Sequence, residues 1–131
     1  MTSLHHLALT AADLAASAAF YDPFLTELGY QRSGGLESPL VYLGDGPEIL
    51  VYLVEGDDTA PHKHGRRGLQ HLAFQVDDRA IVDRAHSAAG STGGTIVHAP
   101  SEYPHYTEGY YATFVEDPDG SRIEVLTMPS S

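Results

Sequence analysis

Apolar and polar residues alternate from Leu4 to Thr10, and again from Leu69 to Val76. A period of two marks a strand with one face buried. In the first run Leu7 and Leu9 take one face, and His6, Ala8 and Thr10 take the other. In the second, Leu72, Phe74 and Val76 take one face, and His71, Ala73 and Gln75 the other. The runs are copies: Leu4-His5-His6-Leu7-Ala8-Leu9 recurs 65 residues later as Leu69-Gln70-His71-Leu72-Ala73-Phe74. Seven residues after each shared histidine stands an aspartate, Asp13 or Asp78, and each opens an alanine-rich stretch. A carboxylate there can accept from the orphan amides of a first helical turn. Gly29 and Gly94 keep the same offset. The chain reads as one structural unit used twice, with an imidazole at an equivalent place in each copy.

The first helix is predicted over Leu14 to Tyr21. Asp22-Pro23 predicts a break or kink, because proline removes a donor and disfavours helical backbone before it. A short second piece, capped by Asp22, runs to Leu28 and ends at Gly29. The other helix runs from Asp78 to near Gly90, with Ile81, Val82, Ala85 and Ala89 as its inner stripe. Short strands follow each helix, near 30–32, 40–43 and 48–54 in the first copy, and 95–98, 109–116 and 121–127 in the second. The predicted fold is α+β: two βαβββ modules in tandem, forming a cup-shaped, partly open mixed sheet with helices outside. Residues 1–55 make the first module, 56–68 a polar linker and 69–128 the second module. Pro100 to Glu108 is an extra loop without counterpart in the first copy.

The last strand carries the chemistry. Ile123 and Val125 alternate with Arg122, Glu124 and Leu126. A carboxylate inside an apolar strand needs a partner to be buried. In the turn Asp117-Pro118-Asp119-Gly120, a two-residue type I′ hairpin is excluded, since proline cannot take positive φ. A type I turn with Gly120 in a left-handed bulge fits instead. That register sets Phe114 across from Glu124, with Ala112 and Tyr110 on the same face and Tyr111 on the other. His6, His71 and Glu124 are then expected on one cleft face, a set that can hold a divalent ion (Fe2+, Mn2+, Zn2+ or Ni2+) with coordination positions open. Val51 falls at the place in the first module equivalent to Glu124, so a fourth ligand is absent. His5 is expected to face the helix side. Glu124, Tyr110 and His105 are the catalytic candidates, and Phe114, Arg122, Tyr103 and Ala112 the candidates for substrate contact. Arg122 would orient a substrate carboxylate or pair with an acid at the rim. The cluster His62, Lys63, His64, Arg66 and Arg67 reads as a solvated linker, or as a rim that attracts anions.

Composition narrows the class. A chain of 131 residues, 42% hydrophobic, suits one two-module domain. No apolar run is long enough to span a membrane. The absence of cysteine and of a basic-then-apolar leader points to the cytoplasm. A net charge of −11 repels phosphate backbones and anionic lipid, so neither nucleic acid nor membrane is an expected partner. A small-molecule substrate is expected, and a homodimer, since half-cup sheets leave unpaired edges. The modules can close a cup within one chain or swap across that dimer.

The opening Leu4-His5-His6-Leu7-Ala8-Leu9, followed by Asp13, Phe20-Tyr21, Leu25 and Leu28-Gly29-Tyr30, resembles the vicinal-oxygen-chelate superfamily. That group includes glyoxalase I, extradiol dioxygenases, fosfomycin-resistance transferases and bleomycin-resistance proteins. Gly68-Leu69-Gln70-His71-Leu72-Ala73-Phe74 is similar to its second-module opening, and the segment from Gly109 to Glu124 to its closing hairpin. The resemblance implies paired βαβββ modules around a metal, with His6, His71 and Glu124 as ligands. It implies a substrate chelated through two neighbouring oxygens, in lyase, isomerase or dioxygenase chemistry, or else a metal-free sequestering protein of the bleomycin-resistance type. Two positions depart from it. Val51 stands where glyoxalase I carries a carboxylate ligand, and Phe114 where extradiol dioxygenases carry a tyrosine acid.

Overall fold

Both predicted caps start helices. In the computed structural model, which describes residues 1–129, the Asp13 carboxylate accepts from Ala16 N at 3.1 Å and heads α1 (Leu14–Glu27). Asp78 accepts from Ile81 N at 3.0 Å and heads α2 (Arg79–Ser91). The expected break at Asp22-Pro23 does not occur, and α1 runs through Pro23. Interior proline costs a helix about 3 kcal/mol. Phe20, Tyr21, Phe24 and Leu25, on both sides of it, are all buried, and each such side chain contributes about 1.5–3 kcal/mol. Burial on a continuous helix therefore outweighs the proline. Thr26 Oγ1 also donates to the Asp22 carbonyl at 2.6 Å. The end of α1 is a Schellman motif: Tyr30 N donates to Leu25 O and Gly29 N to Thr26 O, with Gly29 at φ 88°. In the second module Gly93, not Gly94, takes the left-handed place, at φ 90°.

Strands β1 (His6–Ala11), β2 (Gln31–Ser33), β3 (Leu40–Leu43) and β4 (Glu48–Leu53) form one sheet in the order β1-β4-β3-β2. Strands β5 (Leu72–Gln75), β6 (Thr95–Glu102), β7 (Tyr111–Glu116) and β8 (Arg122–Thr127) form the other, in the order β5-β8-β7-β6. In each, the first strand runs parallel to the last and the remaining pairs are antiparallel. The order repeats, as two copies of one βαβββ unit require, and the fold class is α+β. Strand β6 reaches Glu102, so the extra loop is shorter than expected and closes where Tyr103 N donates to Tyr110 O at 2.8 Å.

The modules meet through their helices. α1 lies on β2, β3 and β4, α2 on β6, β7 and β8, and the two helices pack on each other. One core results, joining Phe20, Phe24 and Val51 to Val82, Ala85 and Val125. Each helix stands outside its own half-cup, and the half-cups do not close a barrel together. The two open sheet faces look outward.

The hairpin turn before β8 joins these parts. Gly120 N donates to Asp117 O at 3.0 Å, and Gly120 sits at φ 87°, as the proline argument requires. Buried Asp117 accepts from Asp119 N and Ser121 N, both at 2.9 Å, and from the Tyr21 hydroxyl of α1 at 2.5 Å. Asp119 accepts from Ala12 N at 2.9 Å and, through its carbonyl, from His62 N of the linker at 2.8 Å.

Candidate metal centre

Glu124 lies on β8, the strand flanked by β5 and β7, and its residue is only 4% exposed. The predicted register holds: Phe114 pairs with Glu124 and Ala112 with Leu126. The carboxylate points away from α2, and both its oxygens are engaged. His71 Nε2 lies 3.0 Å from Oε1, and the Tyr110 hydroxyl donates to Oε2. His71 reaches it from the residue before β5, and Tyr110 from the residue before β7. Two donors thus satisfy a carboxylate that would be costly to bury alone.

An aromatic wall surrounds the pair. Phe114 meets His71, His98 and Tyr103 edge-on, at ring separations of 6.0, 5.7 and 5.7 Å. Tyr106 stacks on Tyr103 at 5.5 Å. Burial, then the bond to Glu124, push the Tyr110 phenol well above its ordinary range. It is a firm hydrogen-bond donor at neutral pH and a poor acid. Tyr111 points the other way, as expected, onto Asp83 of α2 at 2.7 Å.

The remaining candidates part company. His6 does not join His71 and Glu124 within one chain; its ring contacts His5, Nδ1 to Nδ1 at 2.9 Å. Strand parity sets each histidine on the open face of its own sheet, but helix packing turns those faces apart. Among the described residues, no three His, Cys, Asp or Glu side chains gather as a metal site. His5 does not face the helix side. It is exposed at the mouth of β1, 3.5 Å from the Glu48 carboxylate. The place equivalent to Glu124 is Leu50 rather than Val51: Ala73 pairs with Glu124, its counterpart Ala8 pairs with Leu50, and Val51 faces the core. Leucine, like valine, offers no donor atom to a metal. Arg122 pairs with Glu116 at 2.9 Å, the rim alternative. His105 packs on Tyr106 at 4.4 Å and no hydrogen bond ties it to Glu124. Ala112 is fully buried. Two neighbours escaped the sequence reading. His98 extends the aromatic wall, and Gln70 binds His71 Nδ1 through its side-chain oxygen. The only signal for Gln70 is that a glutamine immediately precedes the repeated histidine.

The donors present suit a divalent ion. An imidazole nitrogen and a carboxylate oxygen converge, backed by further hydrogen bonds, which is the arrangement of metal ligands with their outer partners. They amount to two-thirds of the expected set. The cleft of about 560 Å3 lined by Tyr30, Phe74 and Ile81 at the module junction excludes both donors.

Residues 3–125 match the family model of the Glyoxalase/Bleomycin resistance protein/Dioxygenase superfamily. The chain is 31% identical to the uncharacterized protein YqjT of Bacillus subtilis, covering 97% of this chain and 99% of that one. It is 32% identical to the uncharacterized protein PA2024 of Pseudomonas aeruginosa, over 93% of this chain and 86% of that one. A glyoxalase/bleomycin resistance protein from Albidiferax ferrireducens superposes with a TM-score of 0.79 at 25% identity, covering 95% of this chain and 98% of the other. A lactoylglutathione lyase from Agrobacterium tumefaciens shares the fold, with a TM-score of 0.66 at 24% identity over 97% and 94%. Among the described residues, no helix is long and apolar enough to cross a membrane.

Proposed function

We propose, from the fact that this chain belongs to the Glyoxalase/Bleomycin resistance protein/Dioxygenase superfamily, that it is a metal-dependent enzyme acting on a small oxygenated molecule. The observation that carries this reading is the His71–Glu124 pair, 3.0 Å apart and backed by Tyr110 under an aromatic wall. His71 Nε2 and Glu124 Oε1 would hold a divalent cation, and His6 would be the third ligand. A bound cation would supply Lewis-acid polarisation of two neighbouring substrate oxygens. The chain's own residues do the rest. Tyr110 holds the second carboxylate oxygen and so fixes the direction of the first. Phe114, Tyr103 and His98 give the substrate a flat apolar wall and keep water from that side. Leu50, in place of a carboxylate, leaves a coordination position to the substrate. This is lyase, isomerase or dioxygenase chemistry.

His6 would come from a second copy. The two histidines occupy matching places on like sheets, and both open faces look outward. A two-fold pairing of copies sets module one of each against module two of the other. The open face of the first sheet needs such a cover, since Leu43 and Tyr52 are 45% and 43% exposed on it.

Metal analysis of purified protein, loaded with Fe2+, Mn2+, Zn2+ or Ni2+, tests the reading. About one ion per chain is expected, lost in His71→Ala and in Glu124→Ala. A wild-type protein that retains no ion after loading would falsify it. Retained binding of aromatic ligands in that case would point to a sequestering protein. Oxygen uptake with a panel of catechols then separates dioxygenase from lyase or isomerase chemistry.

A further inference from the structure

Every arginine outside the linker has an acid for a partner. Of the seven Lys and Arg residues, Arg32 pairs with Asp22, Arg79 with Glu102, Arg84 with Glu27 and Arg122 with Glu116, at 2.9, 2.8, 2.9 and 2.9 Å. Lys63, Arg66 and Arg67 form no ion pair among the described residues, although acids outnumber bases 18 to 7. The linker that carries them is fixed in place. His62 N donates to Asp119 O at 2.8 Å and Arg66 N to Lys63 O at 3.2 Å, and His64 Nδ1 lies 3.0 Å from the Gln70 carbonyl oxygen. The linker backbone also lies against Gly120, where an added β-carbon would stand 2.1 Å from His62 O. Between this linker, β1 and the start of β8 is a cavity of about 290 Å3, near the lower end of the range for small-molecule sites. Arg67, Arg122, His62, Thr10 and Ser121 supply its polar side chains, and no Asp or Glu lines it. The neighbouring cavity that Arg66 lines also takes Asp58 and Asp119, so its charges oppose one another.

We propose that this acid-free cavity binds the carboxylate or phosphate group of a small organic anion, with Arg67 as its principal ligand. A chain of net charge −11 repels anions over most of its surface. A recess without acids, beside a guanidinium without a carboxylate partner, is where one is held. That guanidinium offers five N–H donors in a planar fork that matches either oxyanion. Arg122 turns Nε and Nη2 to Glu116, at 3.2 and 2.9 Å, and is thereby held still with Nη1 left to donate. Glu116 offsets the charge of Arg122, so Arg67 carries the attraction. The His62 ring and the hydroxyls of Thr10 and Ser121 add further donors. Arg122 and Glu124 share a face of β8, two residues or about 7 Å apart. An anion held here would set the rest of its molecule beside His71 and Glu124. That extension rests on the metal reading above, whereas the anion site does not.

Backbone amide NMR of the intact, metal-free protein tests the site. Inorganic phosphate and acetate are the probes, with sodium chloride at matched ionic strength as the reference. Phosphate or acetate should give saturable shifts concentrated on Thr10, Gly68, Ser121 and Arg122, and the tighter of the two names the head group. Arg67 is exposed, so its replacement leaves the core intact. Arg67→Gln should weaken binding about 10-fold, the lower end for a hydrogen bond to a charged group. Lys63→Gln removes the same charge from an exposed position outside the cavity, and salt screening should limit its effect to less than about 2-fold. Equal losses in the two variants, or shifts no greater than those with sodium chloride, overturn the proposal. A protein that binds either anion and retains no divalent ion keeps the anion site and loses the metal reading. One that retains the ion and responds to neither anion does the reverse.

Discussion

A β-carbon placed on Gly94 would lie 2.5 Å from Phe20 Cε1 and 2.8 Å from the Ala89 carbonyl oxygen. Phe20 belongs to α1, is fully buried, and stacks on Phe24 at 5.1 Å. Gly94 follows α2, so the absence of its side chain lets the modules close on one another. Gly94→Ala should destabilise the protein by about 1–3 kcal/mol, the cost of overpacking a filled core. Urea unfolding would show it as a lower midpoint with an unchanged slope. Gly90 is the control. Its added carbon would approach nothing nearer than 3.7 Å, inside α2, so Gly90→Ala should be neutral or stabilise by up to about 1 kcal/mol. The repeat offset pairs Gly94 with Gly29 in the sequence but gives it no role. The left-handed turn belongs to Gly93, and only tertiary packing shows why the next residue also lacks a side chain.

The elements divide by how local their causes are. Asp13 and Asp78 cap the helices because one carboxylate meets an amide three residues on, a relation a sequence displays directly. The Phe114–Glu124 register was legible for a similar reason, since the geometry of proline left one turn type. Pro23 was misread because the burial that carries α1 through it comes from β3, β4 and α2, remote in the chain. The Asp117 turn has a consequence in pH. Burial raises the Asp117 carboxyl above its ordinary 3.8, against the lowering effect of its hydrogen bonds. A carboxyl raised by folding contributes stability that is complete below the unfolded value and lost as pH climbs through the folded one. Asp117→Asn cannot ionise and should show no such loss. Its stability deficit relative to wild type should therefore shrink between about pH 4 and pH 7 in urea titrations. A deficit that grows over that window would mean the ionised carboxylate is the favoured partner of Tyr21.

At the scale of the molecule, the repeat told that two like units exist, and parity told which face of each strand bears its histidine. Neither tells which faces look at each other. That is settled by α1 meeting α2, a contact between remote segments, and it leaves His6 on one open face and the His71–Glu124 pair on another. If two copies complete each other's sites, each site takes His6 from one chain and His71 with Glu124 from its partner. His6→Ala and His71→Ala homodimers then hold no intact site. Unfolded together and refolded, they form mixed dimers. In these, one site collects both substitutions and the other collects neither. With random pairing, metal uptake should return to about one ion per four chains, in a protein that had none before mixing. If instead one chain closed its own cup, every cup in the mixture would lack a histidine and uptake would stay at zero. The same mixing with His71→Ala and Glu124→Ala, both on one half-site, should restore nothing, because every site in every dimer has lost a ligand.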